Sequence, residues 1–390
     1  MKESNGNPQL IRSINERRIL ELTSTHTSLS RAEISRLTGL SKPTVSAAVK
    51  NLLELGLVEE IGQGEAGPGR KPTLVQFSAS YRHILGIQLG ADRIRVVLTD
   101  LQAQPLVSGE LSMRHNADNP EELLQAIRSQ AEHLLAEAGI DWEHVGYAAF
   151  AIPGVVSATG DVTMLAPHLQ GCESGLSQAS LAARFPCPVL TDNDVNLAAL
   201  AEFAANNQGS EEVFAFLFLD SGVGAGIMIG GRLLRGLGGA AGELGDMRLA
   251  DGSRLEEKLS EQALLDRARA TLASSSEPSL LGQADSLSLT TLFDAARAGD
   301  GTACQALDGY VEELTAAVHN LTALLAPERI VLGGRVGEDP LLLHALGAML
   351  FNLRSAPPQM VSATLGSESV LTGAVQTAIA ATMTQIQESL

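Results

Sequence analysis

The sequence predicts an α/β protein in two parts: an N-terminal winged helix-turn-helix domain over residues 1–78, then a body of two facing α/β lobes over residues 79–390. Three observations carry this. The stretch "SRAEISRLTGLSKPTVSAAVKNLLELG" (30–56) has the punctuation of two short helices joined by a tight turn. "ILGIQLGADRIRVVLTDLQAQPLVSGEL" (84–111) and "EVFAFLFLDSGVGAGIMIGGRLLRG" (212–236) repeat one strand–glycine turn–strand plan. The charge is also divided. Residues 1–75 hold 10 Lys/Arg against 8 Asp/Glu, leaving 17 against 37 for the rest, so a slightly basic head precedes a body of net −20.

In the head, a helix from about Gln9 to Leu22 packs across a helix pair. Ser30 and Glu33 form a capping box that starts the first of the pair, with Ile34 and Leu37 directed inward. Gly39 ends it in a left-handed turn. Ser41 caps the second helix, and Pro43 lies in its first turn, where a missing N–H costs little. Val45, Ala48, Val49 and Leu52 then follow core-facing spacing. The opposite face shows small or basic residues able to approach a major groove. "LVEEIG" and "PTLVQF" read as strands flanking "QGEAGPGRK", a wing with a basic tip suited to a minor groove or phosphates. The candidate DNA contacts are Arg31, Ser41, Lys42, Thr44, Ser46, Ala47 and Lys50, with Arg70 and Lys71 at the wing tip.

Residues 76–82 mark the boundary to the body. Three strands over 84–111 are followed by an amphipathic helix, "NPEELLQAIRSQAEHLLAEAG", and by "HVGYAAFAIPGVVS", a strand entering a Pro-Gly loop. The second strand–turn–strand unit follows. A loop, "SSSEPSLLGQADSLS" (274–288), leads into long helices and the buried strand "RIVLGG". No apolar run is long enough to span a bilayer, and the N-terminus lacks a signal-peptide core. Three widely spaced cysteines, Cys172, Cys187 and Cys304, argue against a disulfide framework and for a reducing cytoplasm.

From about residue 8 to 383 the chain resembles the ROK-family transcriptional repressors, sugar-responsive regulators related to bacterial ROK hexokinases. The resemblance rests on "AIPGVVSATG", "APHL", "TDNDVNLAALAE", "DSGVGAG", "GGAAGELGD" and "APERIVLGG", in that order, with "LSRAEISRLTGLSKPTVS" and "GRKP" in the head. It implies an actin-like, two-lobed sugar-kinase body: one lobe of residues 79–200 with the C-terminal helix, the other of residues 201–375. It further implies that Asn193, Asp194 and Asn196 hold a sugar, the Asp serving as base in the kinases, and that Glu243 and Glu256 join them. On the residues alone, Asn193 and Asp194 follow the strand "CPVL" and precede a helix, so they could equally be helix caps. Asp246, a further candidate ligand contact, stands where the family has a His that touches sugar and ligates a structural zinc. With no cysteine in "MRLADGSRLEE", no tetrahedral zinc site can be assembled, and neither metal nor cofactor is expected.

The same comparison bears on catalysis. The ATP-phosphate turn of the family uses Gly-Gly and an acidic residue, where this chain has Ala91 and Gln88. In the second glycine turn, Asp220 replaces the usual Gly and adds negative charge beside the phosphate position. The expected function is therefore a non-enzymatic repressor of sugar-utilisation genes. Its partners would be operator DNA and a sugar or sugar phosphate held between the lobes, with a homodimer or homotetramer carrying paired heads and no membrane contact. The rival readings are a sugar kinase with an attached DNA module and a regulator controlled by a partner protein.

Overall fold

The computed structural model describes residues 8–63, 73–113, 119–206, 212–282, 286–353 and 357–390. In the head, α1 (Pro8–Thr25) lies over α2 (Arg31–Thr38) and α3 (Lys42–Glu54). Both halves of the capping box form. Ser30 Oγ accepts the Glu33 N–H at 3.2 Å, and Glu33 Oε2 accepts the Ser30 N–H at 2.8 Å. Gly39 closes α2 at φ 71°, and Ser41 Oγ caps α3 through the Thr44 N–H at 3.3 Å. Val45, Ala48, Val49 and Leu52 are buried as their spacing requires. Leu37 is not: it is 43% exposed. Thr38 is buried in its place, its hydroxyl donating to the Ile34 carbonyl, and Leu40 beyond the turn packs on the core.

The strands β2 (Val58–Gln63) and β3 (Thr73–Phe77) pair antiparallel. A two-residue strand β1 (Leu29–Ser30), too short to read from the sequence, pairs with β3 and ties the wing to the start of α2. The Ser78 N–H donates to the Leu57 carbonyl and the Leu101 N–H to the Ala79 carbonyl, so the linker is fastened on both sides.

The first lobe has the meander β4 (His83–Leu89), β5 (Arg93–Asp100) and β6 (Pro105–Ser112), then α4 (Pro120–Ala138) and β7 (Val145–Ile152). A small ribbon of β8 (Gly154–Val156) and β9 (Val162–Leu165) and two single-turn helices, α5 (Glu173–Leu176) and α6 (Gln178–Ala182), precede β10 (Val189–Asn193). The sheet order is β10-β7-β4-β5-β6, with β7 and β10 added parallel to β4. Helix α7 (Asp194–Asn206) leads to the second lobe, whose meander is β11 (Val213–Leu219), β12 (Val223–Ile229) and β13 (Arg232–Leu233).

Four helices follow: α8 (Glu256–Leu259), α9 (Glu261–Ser274), α10 (Leu289–Arg297) and α11 (Gly301–Leu325). Next come β14 (Arg329–Gly333), α12 (Gly334–Gly337), α13 (Pro340–Leu353), β15 (Gln359–Ser362) and α14 (Ser369–Ser389). Their sheet, β13-β12-β11-β14-β15, again adds two parallel strands to the first strand of a meander. The internal repeat is thus one fold used twice.

Between the sheets lie α7 and α14, α14 packing on β4 and β7 and α7 on β12. They cross closely. A Cβ on Gly373 would collide with the Leu197 carbonyl oxygen. The expected lobe boundary at residue 200 falls inside α7, which serves both lobes.

Candidate functional site

The lobes enclose a cleft of about 850 Å³. Its floor is where β10 turns into α7, at the carboxyl end of a parallel strand, where open α/β sheets bind ligands. Asn193 and Asp194 take different positions there. Asn193 is the cap: its Oδ1 accepts the Asn196 N–H at 2.8 Å, while Nδ2 donates to the Gly154 carbonyl at 2.9 Å and pins the Pro-Gly loop. Asp194 lies in the cleft wall, where Oδ1 accepts the Val195 N–H at 2.9 Å. Burial, reinforced by the charges of Glu243 and Asp220, pushes its carboxyl up to about 7. Asn196 is only 2% exposed, inside α7 and apart from the cleft lining, because position N3 of this helix turns toward the core. The sugar-holding role expected of it does not fit that position.

Glu243, Asp246 and Glu256 reach the same cleft from the opposite lobe. Gly242, at φ 93°, seats this loop: its carbonyl accepts the Ala225 N–H, and a Cβ would strike the Ala225 carbonyl. Burial, with the charges of Asp246 and Glu256, pushes Glu243 up to about 7. Arg254 joins these acids, 3.3 Å from Asp246, 3.8 Å from Glu256 and 3.2 Å from Glu257. Asp246 thus faces a guanidinium, and the zinc that the family resemblance implies does not fit. Among the described residues, no group of three or more His, Cys, Asp or Glu is arranged to hold a metal ion.

At the other end the cleft is bounded by the two glycine turns. Gln88 accepts from Arg95 Nη1 at 3.5 Å, and Arg95 binds Glu368 through Nη2 at 2.6 and 2.7 Å. Asp220 is held by Arg335, which donates from Nη2 at 2.8 Å, from Nε at 3.0 Å and from its backbone N–H at 2.9 Å. Arg335 also reaches Glu261 at 2.8 Å and, across the cleft, Asp92 at 3.9 Å. Beneath the floor a second pair spans the lobes: Arg235 binds buried Asp192 through two bonds of 2.7 and 2.6 Å.

Sequence reasoning missed the arginines of the cleft and its floor, Arg93, Arg95, Arg235, Arg254 and Arg335. An arginine directly after the Gly333-Gly334 pair at the end of β14 is a weak signal, and the others have none. His168 of "APHL" also lines the cleft, with Nε2 buried and unpartnered, and burial lowers its basicity.

Residues 84–381 match the ROK family, three quarters of the chain. The chain belongs to the ROK family. Residues 12–70 match the MarR family, and the region covers α2, α3 and most of α1. A xylose repressor of Caldicellulosiruptor bescii is 28% identical over 341 residues, 85% of each chain. Among solved structures, a ROK family transcriptional regulator described as a homologue of the E. coli Mlc protein superposes with a TM-score of 0.74. It is 24% identical, covers 97% of this chain and 98% of its own, and shows the fold alone. A ROK family glucokinase from Streptomyces griseus, in complex with glucose and AMPPNP, has a TM-score of 0.64 at 25% identity. It covers 76% of this chain and 98% of its own. The ROK fold of this protein is thus joined to an N-terminal helix-turn-helix head of the MarR type.

On that head, Ser41, Lys42, Ser46, Ala47 and Lys50 form the exposed face of α3, with Thr44 half-buried at its edge. Arg31 is held by Glu60 at 2.8 Å, and Lys50 lies 3.6 Å from Glu54. Both pairs are exposed enough to exchange for phosphate contacts at little cost. Arg70 and Lys71 lie outside the described residues. Lys50→Ala is expected to weaken DNA binding about equally for all sequences and to lower the slope of log affinity against log salt by about 1. Fluorescence anisotropy at several salt concentrations checks this.

Proposed function

We propose that this ROK protein is a cytoplasmic transcriptional repressor whose winged head binds operator DNA and whose cleft binds a sugar that resets it. The single observation carrying the reading is the division of the cleft. Its floor keeps Asp194 facing Glu243, two acids able to accept hydrogen bonds from vicinal hydroxyls, while its phosphate end is filled by the Asp220–Arg335 pair. The name of its xylose-repressor relative agrees with it.

The lobes would close on sugar alone. Closure moves the first-lobe sheet, to which the head is tied through Leu101 and Ala79, and so changes the spacing of two heads in a dimer. Half-sites of helix-turn-helix dimers are spaced by whole helical turns, so a small change of spacing removes one of the two contacts. DNA selected from a random pool by the full-length protein supplies a probe. A sugar that shifts the melting temperature should also change affinity for that DNA, and loss of DNA binding on deleting residues 1–78 should accompany it.

The kinase reading predicts sugar-dependent ADP release. With Gln88, Ala91 and Asp220 in the phosphate turns, no turnover is expected with a sugar that binds. A rate within the ordinary kinase range, about 1–100 per second, would establish the rival.

A further inference from the structure

We propose that the sugar recognised by this cleft carries no phosphate group, because the Asp220 carboxylate already occupies the anion position as a built-in substitute. The inference rests on the reading of the cleft as a sugar site and narrows its ligand class. Asp220 stands at the turn between β11 and β12, and its oxygens are bound as a phosphate's would be. The Arg335 guanidinium and the Arg335 and Ser221 backbone N–H groups all donate to it, at 2.7–3.0 Å for the shortest contacts. Two backbone donors and one fork of a guanidinium are the usual furniture of an anion site, and here the anion is part of the chain.

The rest of the cleft offers no replacement. Among the described residues that line it, carboxylates outnumber arginines nine to four, and no lysine is present. Each arginine already faces at least one carboxylate, Arg93 facing Glu110 at 3.1 Å, Arg95 Glu368, Arg254 Asp246 and Glu257, and Arg335 Asp220 and Glu261, so none is a surplus cation. The remaining basic group, His168, is buried in the direction that favours its neutral form. A sugar phosphate entering would bring about two negative charges to a cavity already strongly acidic. A neutral polyol brings only hydroxyls, which the unmatched carboxyls of Asp194 and Glu243 can accept.

The test is calorimetric titration of the full-length protein with D-xylose, D-glucose and N-acetyl-D-glucosamine, with their monophosphates, and with inorganic phosphate. A neutral sugar should bind at least ten-fold tighter than its own phosphate ester, and inorganic phosphate should give no heat. Asp220→Gly and Asp220→Asn, which empty or neutralise the built-in anion, should gain phosphate binding in the millimolar range. A phosphate ester that binds as tightly as its parent sugar would overturn the inference and leave the cleft as a sugar site. A folded Asp220→Gly and a folded Asp220→Asn that both ignore phosphate would overturn it as well. Silence from every sugar and every ester would remove the sugar-site reading itself, and this inference with it.

Discussion

Asp194→Asn is expected to abolish the sugar response of the full-length protein and leave its DNA affinity within about twofold of wild type. The variant keeps the shape of the side chain but exchanges an acceptor oxygen for a donor. At pH 8 the wild-type carboxyl, pushed up to about 7, is mostly ionised, and its hydrogen bond to a hydroxyl is charge-assisted. Losing such a bond costs about 1.5–3 kcal/mol, or roughly ten- to a hundredfold in affinity.

A second effect distinguishes a ligand residue from a structural one. Because the folded protein raises this pKa above the ordinary 3.8, folding is unpenalised below about pH 4, where the group is protonated in both states. Stability is then lost progressively as pH rises towards 7, and the full penalty holds above that. Glu243, raised in the same way and coupled to Asp194, titrates with it. The amide of the variant cannot ionise, so Asp194→Asn should be more stable than wild type at pH 8, by a margin on the order of 2 kcal/mol, and the gain should vanish near pH 4. Melting curves across pH, read beside sugar titrations, check both parts. Unchanged sugar sensitivity would place the effector elsewhere.

The largest loss of stability is expected at Glu202, in the C-terminal half of α7. This carboxylate is 0% exposed and accepts four hydrogen bonds. Oε2 takes the Thr364 N–H at 2.8 Å and Asn206 Nδ2 at 2.9 Å; Oε1 takes the Leu365 N–H at 2.8 Å and Ser369 Oγ at 2.7 Å. Residues 363–368 carry the chain from β15 of the second lobe to α14, which packs on the first-lobe sheet, so Glu202 pins the crossing between lobes. Glu202→Ala strands four donors that converge on one buried carboxylate, at about 1–3 kcal/mol for each group that stays buried. A loss of roughly 4 kcal/mol or more is expected from denaturant titration. Glu202→Gln, which retains an acceptor but turns a donor on two donors, should recover only part of it. A loss below about 1 kcal/mol in Glu202→Ala would show that the crossing is held by packing alone.

The head was legible in the sequence nearly residue by residue, because its signals are local: a capping box, a left-handed Gly39, and Ser41 before Pro43 each act within one helical turn. The internal repeat was legible for the same reason, as near-continuous apolar strands on either side of glycine turns. Leu37 escaped because i, i+3 spacing allows two inward faces on a helix of eight residues, and only the packing of Thr38 and Leu40 chose between them. Asn196 escaped because a shared motif says which residues recur and not which way each one points.

By itself, then, the sequence determined the order of elements, the two-lobed plan, the exposed side of α3 and the acids at the end of β10. Short-range hydrogen bonding and the periodicity of apolar residues suffice for these. The tertiary structure alone decided which charges meet. Arg335 reaches Asp220 across 115 residues, Arg235 reaches Asp192 across 43, and Glu202 reaches the 364–369 turn across more than 160. An ion pair depends on separation in space, which no local pattern encodes until the sheets and the two helices between them have set the lobes in place.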